Sequence, residues 1–217
     1  MRTLLKALTI AALVALAACG TSGGPISGGP TRPVGYPAAA WEVRPEGRAW
    51  TTIAHQSIDT LAPQLVSLVP TDIDAFCPGY RATNAAGRRA FYVSLLAELA
   101  RYESNFDPSV RYTESFSDNA GRRVVSRGLL QLSQESANGY GCAIANAEQL
   151  HDPQTNISCS VRILARWVER DGVIAGYSTG AWRGASRYWS PFRDRNKLVD
   201  LQAALNAQPF CARLRTS

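Results

Sequence analysis

Residues 101–108 read Arg101-Tyr102-Glu103-Ser104-Asn105-Phe106-Asp107-Pro108, a helix end running into a turn. Pro108 disfavours helical geometry at Asp107, so the helix has to stop before it. Upstream, from about Asn84 to Glu103, Phe91, Leu95 and Leu99 recur every four residues, and Leu96, Leu99 and Glu103 share a face. Glu103 therefore closes an apolar stripe. A carboxyl in that position is costly to ionise, and partial burial would let it hold a proton near neutral pH, as a general acid must. On pattern alone, a solvated helix-terminal glutamate is the commoner outcome.

Working outward, a helix is expected over about Trp50–Val69, ended by Pro70 and open to a kink at Pro63. Another is expected over about Asp152–Arg170, with Ile157, Val161, Leu164 and Val168 on one side, and a last one over Asn196–Ala207. Between Tyr112 and Val125, the run Asp118-Asn119-Ala120-Gly121 is a turn signal that fits a small β-hairpin. From Gly20 to about Pro45 the chain is rich in Gly, Pro and Ser and reads as a flexible tether. The expected organisation is a leader over 1–18, a tether over 19–45 and a single domain over 46–217.

The first residues carry Arg2 and Lys6, an almost unbroken apolar run from Ala7 to Ala18, then Cys19 and Gly20. This is the pattern of a secretory leader, too short for a comfortable membrane span. Leu16-Ala17-Ala18-Cys19 resembles a bacterial lipobox, which makes Cys19 the expected lipidation site and a lipid the expected membrane attachment. Gly20 in place of Asp favours the outer membrane, by analogy with other lipoproteins. An exported address disfavours nucleic acid as partner. The formal charge is +6, and removing Arg2 and Lys6 leaves 23 − 2 − 17 = +4, compatible with an anionic partner without demanding one. Cys77, Cys142, Cys159 and Cys211 then remain in an oxidising compartment. Four cysteines allow three pairings. Cys142 with Cys159 and Cys77 with Cys211 are favoured, the first closing a short local loop and the second tying the C-terminus to the body. The cysteines lack Cys-x-x-Cys spacing, and His55 and His151 lie far apart, so no metal and no cofactor is expected.

A second stretch, Ser126-Arg127-Gly128-Leu129-Leu130-Gln131, changes the weight of Glu103. Together the two stretches resemble the soluble lytic transglycosylase domain, a branch of the lysozyme-like superfamily. Its pattern Glu-Ser-x-Phe-x-Pro is met by Glu103 to Pro108, and Ser-x-Gly-Leu-Met-Gln by Ser126 to Gln131, with Leu130 where Met is usual. A third pattern, Asp/Asn-Pro-x-x-Asn-Ile, is met by Asp152 to Ile157. The resemblance runs from about Arg89 to Arg193. It implies a mainly α, lysozyme-like (α+β) single domain with the hairpin as an insert, acting as a monomer on peptidoglycan glycan strands.

The resemblance also implies roles. Glu103 would be the single acid/base, cleaving the bond between N-acetylmuramic acid and N-acetylglucosamine with formation of a 1,6-anhydro end. Gln131 would line the groove, Ser126 and Gly128 would shape the turn beneath the sugar, and Asn156 would begin and orient the following helix as a candidate N-cap. Cys142 and Cys159 would clamp the loop before that helix to it. The family's Ala-Tyr-Asn-x-Gly block has no clean counterpart here. Tyr177 and Tyr188 both stand as candidates for its tyrosine, and Trp182 or Trp189 could stack on a sugar. The interval from Glu103 to Gln131 exceeds that of typical members. Among possible second carboxylates, Asp107, Asp118, Glu135 and Asp152 read as turn or surface residues, which leaves Glu114. The alternatives are a hydrolytic muramidase and a catalytically silent glycan-binding envelope lipoprotein.

Overall fold

The computed structural model describes residues 37–212, so the expected leader, the lipidation site Cys19 and most of the tether lie outside the described residues. At its centre runs α3 (Ala85–Ser104). Asn84 starts it by accepting a hydrogen bond from the Gly87 amide at 3.0 Å, which satisfies one of the free amides of the first turn. The stripe expected on one face understates its burial. Every residue from Ala90 to Ala100 is buried, including Ala97, Ala100 and Ser94 on the faces away from Phe91, Leu95 and Leu99. Small residues there let neighbours approach closely, and a helix enclosed on all sides is a core helix.

Around it stand α1 (Gly47–Leu61), the single-turn α2 (Ile73–Phe76), α4 (Gln134–Gly139), α5 (Pro153–Asp171) and α6 (Arg195–Asn206). α1 packs on α5, and α6 packs on α3. The helix expected over Trp50–Val69 is two pieces. Ala62 leaves helical geometry and a 3₁₀ turn restarts at Pro63, because proline has no amide to donate and crowds the preceding turn. The folded unit also begins before Pro45. Ala40–Val43 form a 3₁₀ turn, and Trp41 is fully buried, its indole donating to Thr51 Oγ1 at 2.9 Å and meeting Trp50 edge-on.

β1 (Arg111–Ser117) and β2 (Arg123–Arg127) form the expected antiparallel hairpin. Arg111 pairs with Arg127 and Tyr112 with Ser126, and the register shifts between Thr113 and Ser117. Its turn is closed by Asp118 Oδ1, which accepts from the amides of Ala120 and Arg122, with Gly121 at φ +76°. A second hairpin, β3 (Ala175–Ser178) with β4 (Ala181–Gly184), was not anticipated from sequence. Disulfides join Cys142 to Cys159 and Cys77 to Cys211, the favoured pairing. Among the described residues, no helix is long and apolar enough to cross a membrane.

Candidate active site

Glu103 occupies the last turn of α3, and the backbone beyond it is bent hard away. Asn105 and Phe106 are both left-handed, at φ 51° and 60°. Asparagine tolerates that region, but phenylalanine does not favour it and is held there because its ring is buried. Asp107 then accepts from the Ser109 amide at 2.8 Å, and Pro108 prevents the helix from resuming. Ser104, beside Glu103, donates through its hydroxyl to the Leu129 carbonyl at 2.9 Å, fastening the end of α3 to the second stretch.

That second stretch is a tight turn on which three parts of the chain converge. Gly128 has φ +77°, and a β-carbon there would lie 2.0 Å from the Leu150 carbonyl oxygen and 2.5 Å from Asn156 Nδ2. Only glycine fits. Asn156 fills the space: it donates to the carbonyls of Arg127 (3.0 Å) and Leu150 (2.9 Å) and accepts from the Leu130 amide (2.9 Å). It is not the N-cap. Asp152 holds that place, accepting from the Thr155 amide at 2.9 Å with Pro153 at the first helical position. Asn156 lies one turn further in, pointing its amide sideways into the loop. Trp189 is almost wholly buried and donates from its indole to the Leu130 carbonyl at 3.0 Å, so it pins the same turn from the other side.

A cavity of about 390 Å³ opens over this turn, with Glu103, Gln131, Tyr188 and Arg193 in its wall. The first hairpin forms one side. Glu114 and Phe116 on β1, and Val124 and Ser126 on β2, all face in, as alternation along paired strands requires. Ser126 donates to Glu114 Oε1 at 2.7 Å. Gln131, at φ 47°, uses its amide nitrogen on the carbonyls of Gly128 (2.8 Å) and Val110 (3.1 Å), while its Oε1 is buried without a protein donor.

Solvent reaches Glu103 through the cleft, yet protein surrounds its carboxyl closely enough for burial to dominate. Burial pushes its pKa up to about 8; Lys197 and Arg193 oppose the rise, and the nearby Glu114 charge adds to it. The negative end of the α3 dipole acts in the same sense. At neutral pH this carboxyl is mostly protonated. Lys197 is brought close because Asp194 caps α6, accepting from the amides of Asn196 and Lys197.

The structure thus brings Glu103, Ser126, Gln131 and Tyr188 together. Tyr188 lies deep enough that burial raises its hydroxyl well above the ordinary range, with Ser136 and the Ser133 backbone bonded to it. Tyr177 and Trp182 are elsewhere. They face each other across β3 and β4 at 4.8 Å between ring centroids, outside the residues that wall the cavity, and Trp182 approaches it only through Arg193, 5.8 Å from its ring. Sequence reasoning missed Tyr140, Arg187 and Arg193 on the cavity wall. A cation or aromatic outside the three matched stretches carries no local signal of where it will point. Among the described residues no three His, Cys, Asp or Glu side chains gather as metal ligands would.

The family model described as Transglycosylase SLT domain matches residues 82–191. Solved structures of Bd0314 DslA are similar along nearly their whole length. The wild-type form 2 is 42% identical with a TM-score of 0.77, and the match covers 80% of this chain and 97% of that one. Two variants of it, each with one glutamate replaced by glutamine, are 41% identical, with TM-scores of 0.78 and 0.77 and coverage of 81% and 80% of this chain and 98% and 97% of theirs. No match is found among curated proteins.

Proposed function

The chain belongs to the transglycosylase SLT family, whose substrate is the peptidoglycan of the cell envelope, and from that premise we propose that it cleaves the β-1,4 bond between N-acetylmuramic acid and N-acetylglucosamine with Glu103 as general acid. The observation that carries this reading is a carboxyl kept protonated at neutral pH in the wall of a cleft open enough for a glycan strand. Glu103 gives its proton to the glycosidic oxygen as the bond to the muramyl C1 breaks. In the lytic transglycosylase outcome the muramyl C6 hydroxyl closes on C1 and passes its proton to the Glu103 carboxylate, leaving a 1,6-anhydro end and consuming no water. Gln131 Oε1, a buried acceptor without a protein donor, is suited to a sugar N–H or O–H, and the Tyr188 hydroxyl to orienting the acid. Ser126 acts through Glu114. Tyr177 and Trp182 could contact only a strand extending past Arg193. Attachment to the outer membrane through a lipid on Cys19 belongs to the same reading and rests on the Leu16–Cys19 sequence.

One observation favours a second outcome, hydrolysis. Glu114 lies in the same cavity as Glu103, close enough for its charge to raise that pKa, and Ser126 fixes its carboxylate. Two carboxylates around one bond are what a water-using glycosidase employs: the acid protonates the leaving oxygen and the other takes a proton from water. The two glutamates replaced in the Bd0314 DslA variants stand eleven residues apart, the interval that separates Glu103 from Glu114. Mass spectrometry of fragments released from purified sacculi distinguishes the outcomes, since a hydrolytic product is heavier by one water than an anhydro product. Glu114→Gln is expected to lower kcat by about 10²-fold or more if water is the nucleophile. If the C6 hydroxyl is, the expected loss is under about tenfold. In both cases the alkaline limb of kcat/KM moves to lower pH, because removing a negative neighbour lowers the Glu103 pKa.

A further inference from the structure

Resting on the peptidoglycan reading above, we propose that the cavity between the tip of the first hairpin and α5 binds the peptide stem of the strand being cut, with Arg162 and Arg166 receiving its carboxylates. This cavity, about 730 Å³, is larger than the one holding Glu103. The two share walls at Phe116, Val124, Ser136 and Tyr140, so a ligand lying over Glu103 continues into it.

Arg162 and Arg166 are one turn apart on the solvent face of α5, both exposed, and neither makes an ion pair among the described residues. Two other cavity-side arginines do hold acids: Arg187 holds Asp171 at 2.6 Å and Arg122 holds Asp118 at 2.8 Å. Like charges four residues apart on a helix destabilise it by about 0.2–0.5 kcal/mol, and the acid nearest to them on α5, Glu169, accepts from Gln64 at 3.3 Å and makes no ion pair with Arg166. The acid chemistry at Glu103 makes no use of them, having Lys197 and Arg193 at hand.

The one carboxyl of an acetylated glycan backbone, the lactyl group of each muramic acid, is an amide wherever a stem is attached, so a stem-bearing backbone itself offers two guanidiniums nothing to pair with. The stem does. It hangs from the muramic acid through a lactyl ether, carries several free carboxylates, and bears a free amine on its diamino residue until cross-linked. Forked guanidiniums suit carboxylates, and the exposed Glu135 on the same wall, also without an ion pair among the described residues, suits the amine. Trp167, held by its indole hydrogen bond to Tyr140 Oη at 2.8 Å, lines the same wall. The hairpin tip forms the opposite wall through Phe116 and Asn119.

The test compares glycan strands bearing stems with strands stripped of them by an amidase, using the full chain. KM for stem-bearing strands is expected to be at least about fivefold lower, with the advantage shrinking as salt rises. Arg162→Ala/Arg166→Ala should erase the advantage without changing kcat on stripped strands, and Arg162→Lys/Arg166→Lys should restore part of it. Equal KM for the two substrates in the parent, or an advantage that survives the double alanine change, overturns the proposal. A binding titration in the Glu103→Gln background, with disaccharide-tripeptide against the bare disaccharide, decides the point without catalysis. If the parent cuts neither substrate, the cleavage reading fails, while preference for the disaccharide-tripeptide still upholds the stem site and equal binding still rejects it.

Discussion

Glu103→Gln is expected to lower cleavage of purified sacculi by about 10³-fold or more, the scale of losing a positioned proton donor, and at the same time to make the protein more stable at pH 8. The two effects have one cause. In the folded chain the carboxyl holds its proton up to about pH 8, whereas in the unfolded chain it releases it near its ordinary value of 4.5. Between those values the folded state binds more protons than the unfolded state, so stability falls as pH rises through the window. Glutamine does not titrate. The variant and the parent should therefore melt together at pH 4 and separate by pH 8, with the variant ahead by roughly 1–2 kcal/mol, or about 3–8 °C in Tm, a figure reduced for the solvent that reaches the cleft. Activity of the parent should fall above about pH 8 as the acid ionises. A Glu103→Gln protein that still cuts sacculi would show that the acid lies elsewhere.

The second large effect concerns a residue that touches no substrate. Asn156→Ala is expected to cost about 3–5 kcal/mol, because it leaves two carbonyls and one amide buried without partners. Asn156→Asp should be no milder. It keeps the acceptor for the Leu130 amide but turns a second oxygen toward the Arg127 and Leu150 carbonyls, where a donor is required. Thermal melting measures the loss; a Tm within about 2 °C of the parent would mean that the turn carrying Gln131 is held by other contacts.

These residues also show how far the sequence could be read. Asn84 and Asp152-Pro153 announced the starts of α3 and α5, and Asp118 to Gly121 announced the hairpin turn, because each acts on backbone within a few positions of itself. Asn156 acts on carbonyls six and twenty-nine residues away, and nothing local distinguishes that from a cap. Trp41, in a stretch rich in glycine and proline, is recruited by a pocket that exists only once α1 and α3 have packed. The two tyrosine candidates were equal in sequence. They part in space because Tyr177 falls on a strand exposed to solvent, while Tyr188 follows a 3₁₀ turn that carries it inward. Glu103 was legible as a catalytic candidate only through the company of the other stretches. Its protonation is a property of the assembled cleft.

The bond between Cys77 and Cys211 closes a covalent ring across 134 positions, and the first hairpin, all three matched stretches and the smaller Cys142–Cys159 loop lie within it. The exposed hairpin tip is the natural place for a protease to clip. A single clip there opens the chain without dividing it: both halves stay on one molecule, and a denaturing gel run without reductant shows a full-sized band. Only reduction would release two fragments, so a nicked population could pass unnoticed through purification and be assayed as intact enzyme.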